Sequence, residues 1–151
     1  MSDHWIRIIP VDPHFVPTDV GQNAALAILR AAAPRADAVS SATDEQIVFR
    51  DCGENFERVR CPACGKEIAM DTWQDWMEAD DSEGGGFRLQ PLVTPCCHRS
   101  ATLDDLLYDM PQGFSRYALS AMNVGSELSS AVLAKLEDSL GCRLRVVYQA
   151  I

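Results

Sequence analysis

The chain is organised around the stretch Cys61-Pro62-Ala63-Cys64-Gly65, which has a counterpart further along, Pro95-Cys96-Cys97-His98. A Cys-x-x-Cys pair presents two thiolates from one tight turn, and zinc is usually held by four thiolates or imidazoles in a tetrahedron. Pro62 fixes the backbone φ early in the first turn, and Gly65 permits the positive φ with which such a turn ends. The two stretches together predict one metal site.

The second stretch departs from the pattern of the first. When the two are aligned, Thr94 stands at the first cysteine position, Cys97 at the second and His98 at the glycine. Cys96 is the nearest additional thiolate, and His98 is the substitute because positions i and i+2 of a strand face the same side. The predicted ligands are therefore Cys61, Cys64, Cys96 and Cys97, with His98 as the substitute fourth ligand.

Residues 61–98 resemble the zinc-ribbon group of metal-binding proteins. The first turn matches the ribbon knuckle closely, whereas the 31 residues between Cys64 and Cys96 exceed the roughly 15–20 of a simple ribbon. Four protein ligands close a zinc site, so the predicted ion is structural Zn²⁺. A redox Cys-x-x-Cys is the alternative, but such pairs start a helix, and residues 66–69 read as a return strand.

Two strand–helix–strand units are predicted on either side of the middle of the chain. This order is that of a ferredoxin-like βαββαβ sandwich, an α+β fold with two helices on a four-stranded antiparallel sheet. The helices are recognised by apolar residues at helical spacing and by terminators such as Pro34 and Gly141. The predicted strands are 5–11, 45–50, 114–122 and 142–151, the helices run from Asp19 to Pro34 and from Gly125 or Ser126 to Gly141, and 36–43 is a loop.

The middle segment, 52–100, is predicted to be an inserted zinc-ribbon-like subdomain between two halves of the sandwich, 1–51 and 101–151. It contains predicted strands at 56–60 and 87–94, a glycine-rich tip at 82–86 and a helix that starts at Asp71. Trp73 and Trp76 lie on one face of that helix and are predicted to be core. Thr102 and Asp105 predict a cap for a further short helix.

The composition predicts a globular cytosolic protein. The chain is 47% hydrophobic and 23% charged, which is ordinary for a folded domain. No apolar run approaches the roughly 20 residues of a membrane span, and the N-terminus lacks the pattern of a signal peptide. We therefore expect a cytoplasmic location, where thiols stay reduced and cysteines serve metals or cores.

The charge pattern bears on the partners of the protein. A net charge of −9 repels phosphate backbones and argues against nucleic acid. The acidic run from 71 to 83 is either a docking surface for a basic protein or the solvated face of a helix. A nucleic-acid-binding face would require the basic residues of the middle segment to converge; these are Arg58, Arg60, Lys66, Arg88 and Arg99.

The resulting functional hypothesis is a non-enzymatic zinc-binding protein. The structural zinc would make the inserted arm rigid, and the protein would act in protein–protein interaction or regulation. A nucleic-acid-associated zinc ribbon and a thiol-redox or zinc enzyme are the alternatives. The sequence contains no His-Glu-x-x-His or His-x-Glu signature that would place a catalytic metal.

Overall fold

The computed structural model describes residues 3–151 and has an α+β architecture. Its described part contains three α-helices, nine β-strands and one 3₁₀ turn at Leu103–Asp105. The helices are α1 (Asp19–Ala32), α2 (Met70–Asp80) and α3 (Ser130–Leu140). The strands are β1 (His4–Pro10), β2 (Ala38–Arg50), β3 (Val59–Arg60), β4 (Glu67–Ile68), β5 (Leu92–Val93), β6 (Ser100–Ala101), β7 (Leu107–Tyr108), β8 (Gly113–Met122) and β9 (Leu144–Ala150).

The main sheet has four strands in the order β2-β8-β1-β9, and each neighbouring pair is antiparallel. Helices α1 and α3 pack on one face of this sheet and on each other. Ile8, Leu29, Leu119 and Leu136 are fully buried between the layers. The antiparallel sheet and its helices agree with the predicted α+β class.

The helices of this layer begin at hydroxyl caps. The Thr18 hydroxyl accepts the Gly21 N–H at 3.1 Å, so the cap of α1 is Thr18 and not Asp19, which with Gln22 has the spacing of a capping box. The prediction that α3 starts at Gly125 or Ser126 is wrong, because Gly125 has a φ of 87° that a helix cannot contain. Helix α3 ends at Gly141, whose φ of 75° is the predicted left-handed terminator.

The predicted loop at 36–43 is also wrong, since residues from Ala38 onward form the first half of β2. Ser40 and Ala42 pair with Ser120 and Ala118 of β8, and the pairing shifts register between Thr43 and Val48. Small residues give no periodic signal of a strand. The partner strand, which is distant in sequence, selects the extended conformation here.

The middle segment forms two small sheets, β4-β3-β7 and β5-β6, beside α2. The strands predicted at 56–60 and 87–94 shrink to 59–60 and 92–93. In the second case Leu89 adopts a φ of 54°, and the buried Asp80 carboxylate accepts the N–H groups of residues 88–90. These contacts replace strand pairing with a tight turn around one side chain.

An aromatic cluster joins the middle segment to the main sheet. Phe49 of β2 lies 4.9 Å from Phe114 of β8 and 5.9 Å from Trp73 of α2, measured between ring centroids. Trp73 is buried, as predicted, and donates its indole N–H to the Tyr108 hydroxyl at 3.2 Å. Strand β7 pairs with β3, so the small sheet extends past residue 100.

Within residues 3–151, no helix is both long enough and apolar enough to span a bilayer.

Candidate metal centre

Four cysteines from the two distant stretches meet at one point. The sulfur atoms of Cys61, Cys64, Cys96 and Cys97 all lie within 4.8 Å of one another. Cys61 Sγ is 3.7 Å from Cys97 Sγ, and Cys64 Sγ is 3.3 Å from Cys96 Sγ. Each close pair takes one sulfur from each stretch, so the group is a junction between them that could hold a metal ion.

The first stretch folds as a knuckle because backbone hydrogen bonds close it. The Cys61 N–H donates to the Lys66 carbonyl, and the Gly65 N–H donates to the Cys61 carbonyl, both at 2.9 Å. Gly65 has a φ of 77°, which is the left-handed conformation predicted for the end of the turn. The geometry turns the chain sharply between the two cysteines of the pair.

The second stretch repeats this hydrogen-bond pattern without repeating the residues. The Thr94 N–H donates to the Arg99 carbonyl, and the His98 N–H donates to the Thr94 carbonyl, again at 2.9 Å. The backbone equivalence of Thr94 with Cys61 and of His98 with Gly65 agrees with the sequence alignment. The second knuckle therefore supplies its thiols from Cys96 and Cys97 instead of from its first position.

Thr94, which in the sequence alignment stands where a cysteine is missing, contributes to the structure of the site. Its side chain is fully buried. Its hydroxyl accepts the Arg99 N–H at 3.0 Å and lies 3.4 Å from Cys97 Sγ. A threonine at this position thus supports the turn and contacts one of the grouped sulfur atoms.

The four sulfur atoms differ strongly in exposure. Cys61 is 0% exposed and packs in the cluster that contains Val59 and Trp73. Cys96 and Cys97 are half-buried, and Cys64 is exposed. One side of the group faces the protein core and the other faces solvent.

The surroundings of the Cys61 and Cys96 thiols give the two groups different pKa values. The Cys64 backbone N–H, which hydrogen-bonds to the sulfur, lowers the pKa of the Cys61 thiol to about 6. The hydrogen bond with Cys64 and burial raise the pKa of the Cys96 thiol to about 12. Since a metal binds the thiolate form, the first knuckle presents one sulfur already suited to a cation.

The remaining predicted site residue and the other cysteines lie outside this group. Among the residues that the structure describes, the group of possible metal ligands consists of these four sulfur atoms and does not include a nitrogen of His98. His98 is exposed and has a φ of 56°. Cys52 is fully buried and donates its S–H to the Gln112 Oε1 at 3.2 Å. Cys142 is half-buried and packs against the core of the main sheet.

The basic residues near the centre are largely engaged by neighbouring groups. Arg58 and Arg60 both bind the Asp109 carboxylate. Arg88 donates to the carbonyls of Ala79 and Asp80 at the end of α2. Three of the five cations that a nucleic-acid-binding face would need are therefore held by protein groups.

The acidic run divides into a structural and an exposed part. The Asp80 carboxylate is 7% exposed and accepts three backbone N–H bonds. Asp71, Asp75 and Glu78 are exposed and follow the spacing i, i+4, i+7 of one helix face. Helix α2 consequently presents an acidic stripe to solvent.

Comparisons of the chain with protein families, with curated proteins and with solved structures found no match.

Proposed function

We propose that Cys61, Cys64, Cys96 and Cys97 bind one structural Zn²⁺. A tetrahedral ion with zinc–sulfur bonds of about 2.3 Å places its sulfur atoms about 3.8 Å apart. The closest sulfur pairs here are 3.3 and 3.7 Å apart, and all lie within 4.8 Å. This spacing of four thiols, reached from two distant knuckles, is the observation that carries the proposal.

The donor set favours a structural over a catalytic ion. Four thiolates fill a tetrahedral zinc ion and leave no position for a substrate or an activated water. Cys61, Cys96 and Cys97 pack against the aromatic cluster that connects the knuckles to the main sheet. Zinc would thus stabilise the middle segment and, through that cluster, its contact with the sandwich.

We further propose that the fold is a ferredoxin-like βαββαβ sandwich with a zinc-ribbon-like insertion. The strand order β2-β8-β1-β9 is compatible with a split βαβ arrangement, in which each helix connects two strands separated by a third. The two helices share one face of the sheet. The knuckles lie between the second and third long strands, in the position of an insertion.

The role that fits such an arm is non-enzymatic protein–protein interaction or regulation. The acidic stripe of Asp71, Asp75 and Glu78 lies on α2, and Trp73 on the other side of the same helix packs in the cluster with Cys61. Opposite charge favours a basic protein partner. The zinc would hold this stripe in a fixed orientation.

Metal analysis of the purified chain tests the zinc assignment. We expect about one zinc per chain, four thiols that react faster with an alkylating reagent after chelation, and a lower Tm without metal. Cys64→Ser should lose the ion, whereas Cys142→Ser should keep it. A metal-free chain in which Cys61, Cys64, Cys96 and Cys97 react freely without chelation would refute the proposal, whereas bound iron would change only the identity of the ion.

Charge reversal tests the interaction role. Replacing Asp71, Asp75 and Glu78 by lysine should abolish capture of a basic partner from the native cell. The matched control reverses three exposed acids outside α2, Asp19, Glu127 and Asp138, and should leave capture unchanged. Equal loss in both variants would indicate an effect of net charge alone and contradict the assignment to α2.

A further inference from the structure

We propose that the Cys64–Cys96 pair, at the solvent side of the metal centre, is a site of oxidative modification by hydrogen peroxide. Oxidation there would convert two zinc thiolates into a disulfide that joins the knuckles. The inference rests on the proposed zinc site and deepens it, because it states how that site responds to an oxidant.

Exposure selects the first sulfur to react. Thiols that bind zinc are deprotonated whatever their acidity in the free chain, so access to solvent decides which of them meets peroxide. Cys64 is exposed, whereas Cys61 in the same knuckle is 0% exposed. Peroxide therefore reaches Cys64 first.

Distance selects the second sulfur. Cys96 Sγ lies 3.3 Å from Cys64 Sγ and is half-buried. A disulfide has an S–S bond of about 2.05 Å, so the two atoms must approach by about 1.3 Å. The competing pair within the first knuckle would draw Cys61 out of its buried contact with Val59 and Trp73.

The reaction balances with one peroxide molecule. The Cys64 thiolate attacks one peroxide oxygen, the O–O bond breaks, and a sulfenic acid and hydroxide form. The Cys96 thiolate then attacks the Cys64 sulfur, the S–S bond forms, and a second hydroxide leaves. The two sulfur atoms give up two electrons in total, and the peroxide accepts both.

The product has a defined consequence for the fold. With two of the four thiolates consumed, the remaining pair, Cys61 and Cys97, no longer forms a tetrahedral set and zinc is released. The new disulfide links the two knuckles at the place where the metal linked them. The arm would therefore keep its connection while the metal content of the protein changes.

Peptide mapping of the zinc-loaded full chain tests this assignment. After one equivalent of hydrogen peroxide, a chelating dye should record about one zinc released for each disulfide formed. Trypsin cleaves after Arg60, Lys66, Arg88 and Arg99, so it yields peptides 61–66 and 89–99. We expect these two peptides to be cross-linked, with fragmentation placing the bond between Cys64 and Cys96.

Two variants separate the disulfide partner from the metal ligand. Cys96→His keeps a three-cysteine, one-histidine set that suits zinc, and peroxide should then give a sulfenic acid at Cys64 without a cross-link. Cys142→Ser should behave as the unaltered chain does, because Cys142 is half-buried against the main core and lies outside the sulfur group. If Cys96→His does not hold zinc, the peptide map of the unaltered chain alone tests whether Cys64 and Cys96 form the disulfide.

The outcomes distinguish this inference from the proposed function. A chain that contains no metal before oxidation contradicts the zinc site itself. A zinc-loaded chain that keeps its metal, or that forms a disulfide within peptide 61–66, overturns only the assignment to Cys64 and Cys96.

Discussion

His98 occupies in the second knuckle the left-handed backbone position that Gly65 occupies in the first. Their φ angles are 56° and 77°, and the N–H of each donates to the carbonyl that opens its turn. A histidine in this conformation carries a strain that glycine avoids. His98 therefore ends the second turn, and Cys96 supplies the fourth sulfur atom of the group.

Separate substitution of each of these two residues gives the first prediction. Gly65→Ala should destabilise the chain by about 1 kcal/mol, through conformation alone because nothing lies within 4 Å of the added carbon. His98→Gly should be neutral or slightly stabilising and should keep about one zinc per chain. Urea unfolding and metal analysis measure both effects, and loss of zinc in His98→Gly would show that the imidazole is a ligand.

The second prediction concerns Asp80, which organises the turn after α2. Its carboxylate accepts the N–H groups of Arg88, Leu89 and Gln90 at 3.0, 2.8 and 2.7 Å. Asp80→Ala should destabilise the chain by about 3 kcal/mol, because the substitution leaves these donors unpaired in a partly buried turn. Asp75→Ala on the exposed face of the same helix should change stability by less than about 0.5 kcal/mol.

Equal effects of the two aspartate substitutions in denaturant unfolding would contradict the structural role of Asp80. Asp80→Asn provides a further control, since its amide oxygen retains one acceptor. We expect it to fall between the other two variants.

The limits of prediction from sequence follow from the same residues. Gly141 and Trp73 were predictable because a terminal glycine and an apolar helix face are local signals. Leu89 was not, because its left-handed turn depends on Asp80, which binds the backbone from the preceding helix. Likewise Ser40 takes its extended form from Ser120, which is 80 positions away in the chain.

The cluster of four cysteines also divides into a part set by local sequence and a part set by distant contacts. The first knuckle could be predicted because Pro62 and Gly65 encode its turn locally. The alignment of Thr94 with Cys61 was also readable, but the choice between Cys96 and His98 depends on how the second turn meets the first. That meeting places Cys96 Sγ 3.3 Å from Cys64 Sγ.

Two buried tyrosines provide a matched pair for the third prediction. The Tyr108 hydroxyl donates to the Leu103 carbonyl at 2.8 Å and accepts the Trp73 N–H. The Tyr117 hydroxyl is buried and makes no hydrogen bond of normal geometry within residues 3–151, only a weak contact with the Ser41 side chain. Tyr108→Phe should therefore cost about 1–2 kcal/mol of stability, whereas Tyr117→Phe should be neutral or stabilising by up to about 1 kcal/mol. Chemical denaturation of both variants at neutral pH measures the difference, and the reverse order would contradict these contacts.

The fourth prediction is a loss of stability at alkaline pH. Burial raises the pKa of the Tyr117 hydroxyl to about 12, and burial also raises the pKa of Tyr108. In the unfolded chain a tyrosine loses its proton near pH 10. The folded state thus binds more protons than the unfolded state above that pH, so the tyrosine contribution is complete below pH 10 and declines as the pH rises towards 12. Urea unfolding at pH 9, 10 and 11 should show this decline, and Tyr117→Phe should reduce its slope because one of the two tyrosine protons linked to unfolding is removed. An unchanged slope in that variant would mean that Tyr117 ionises equally easily in the folded and unfolded chains, which contradicts its burial against the helices.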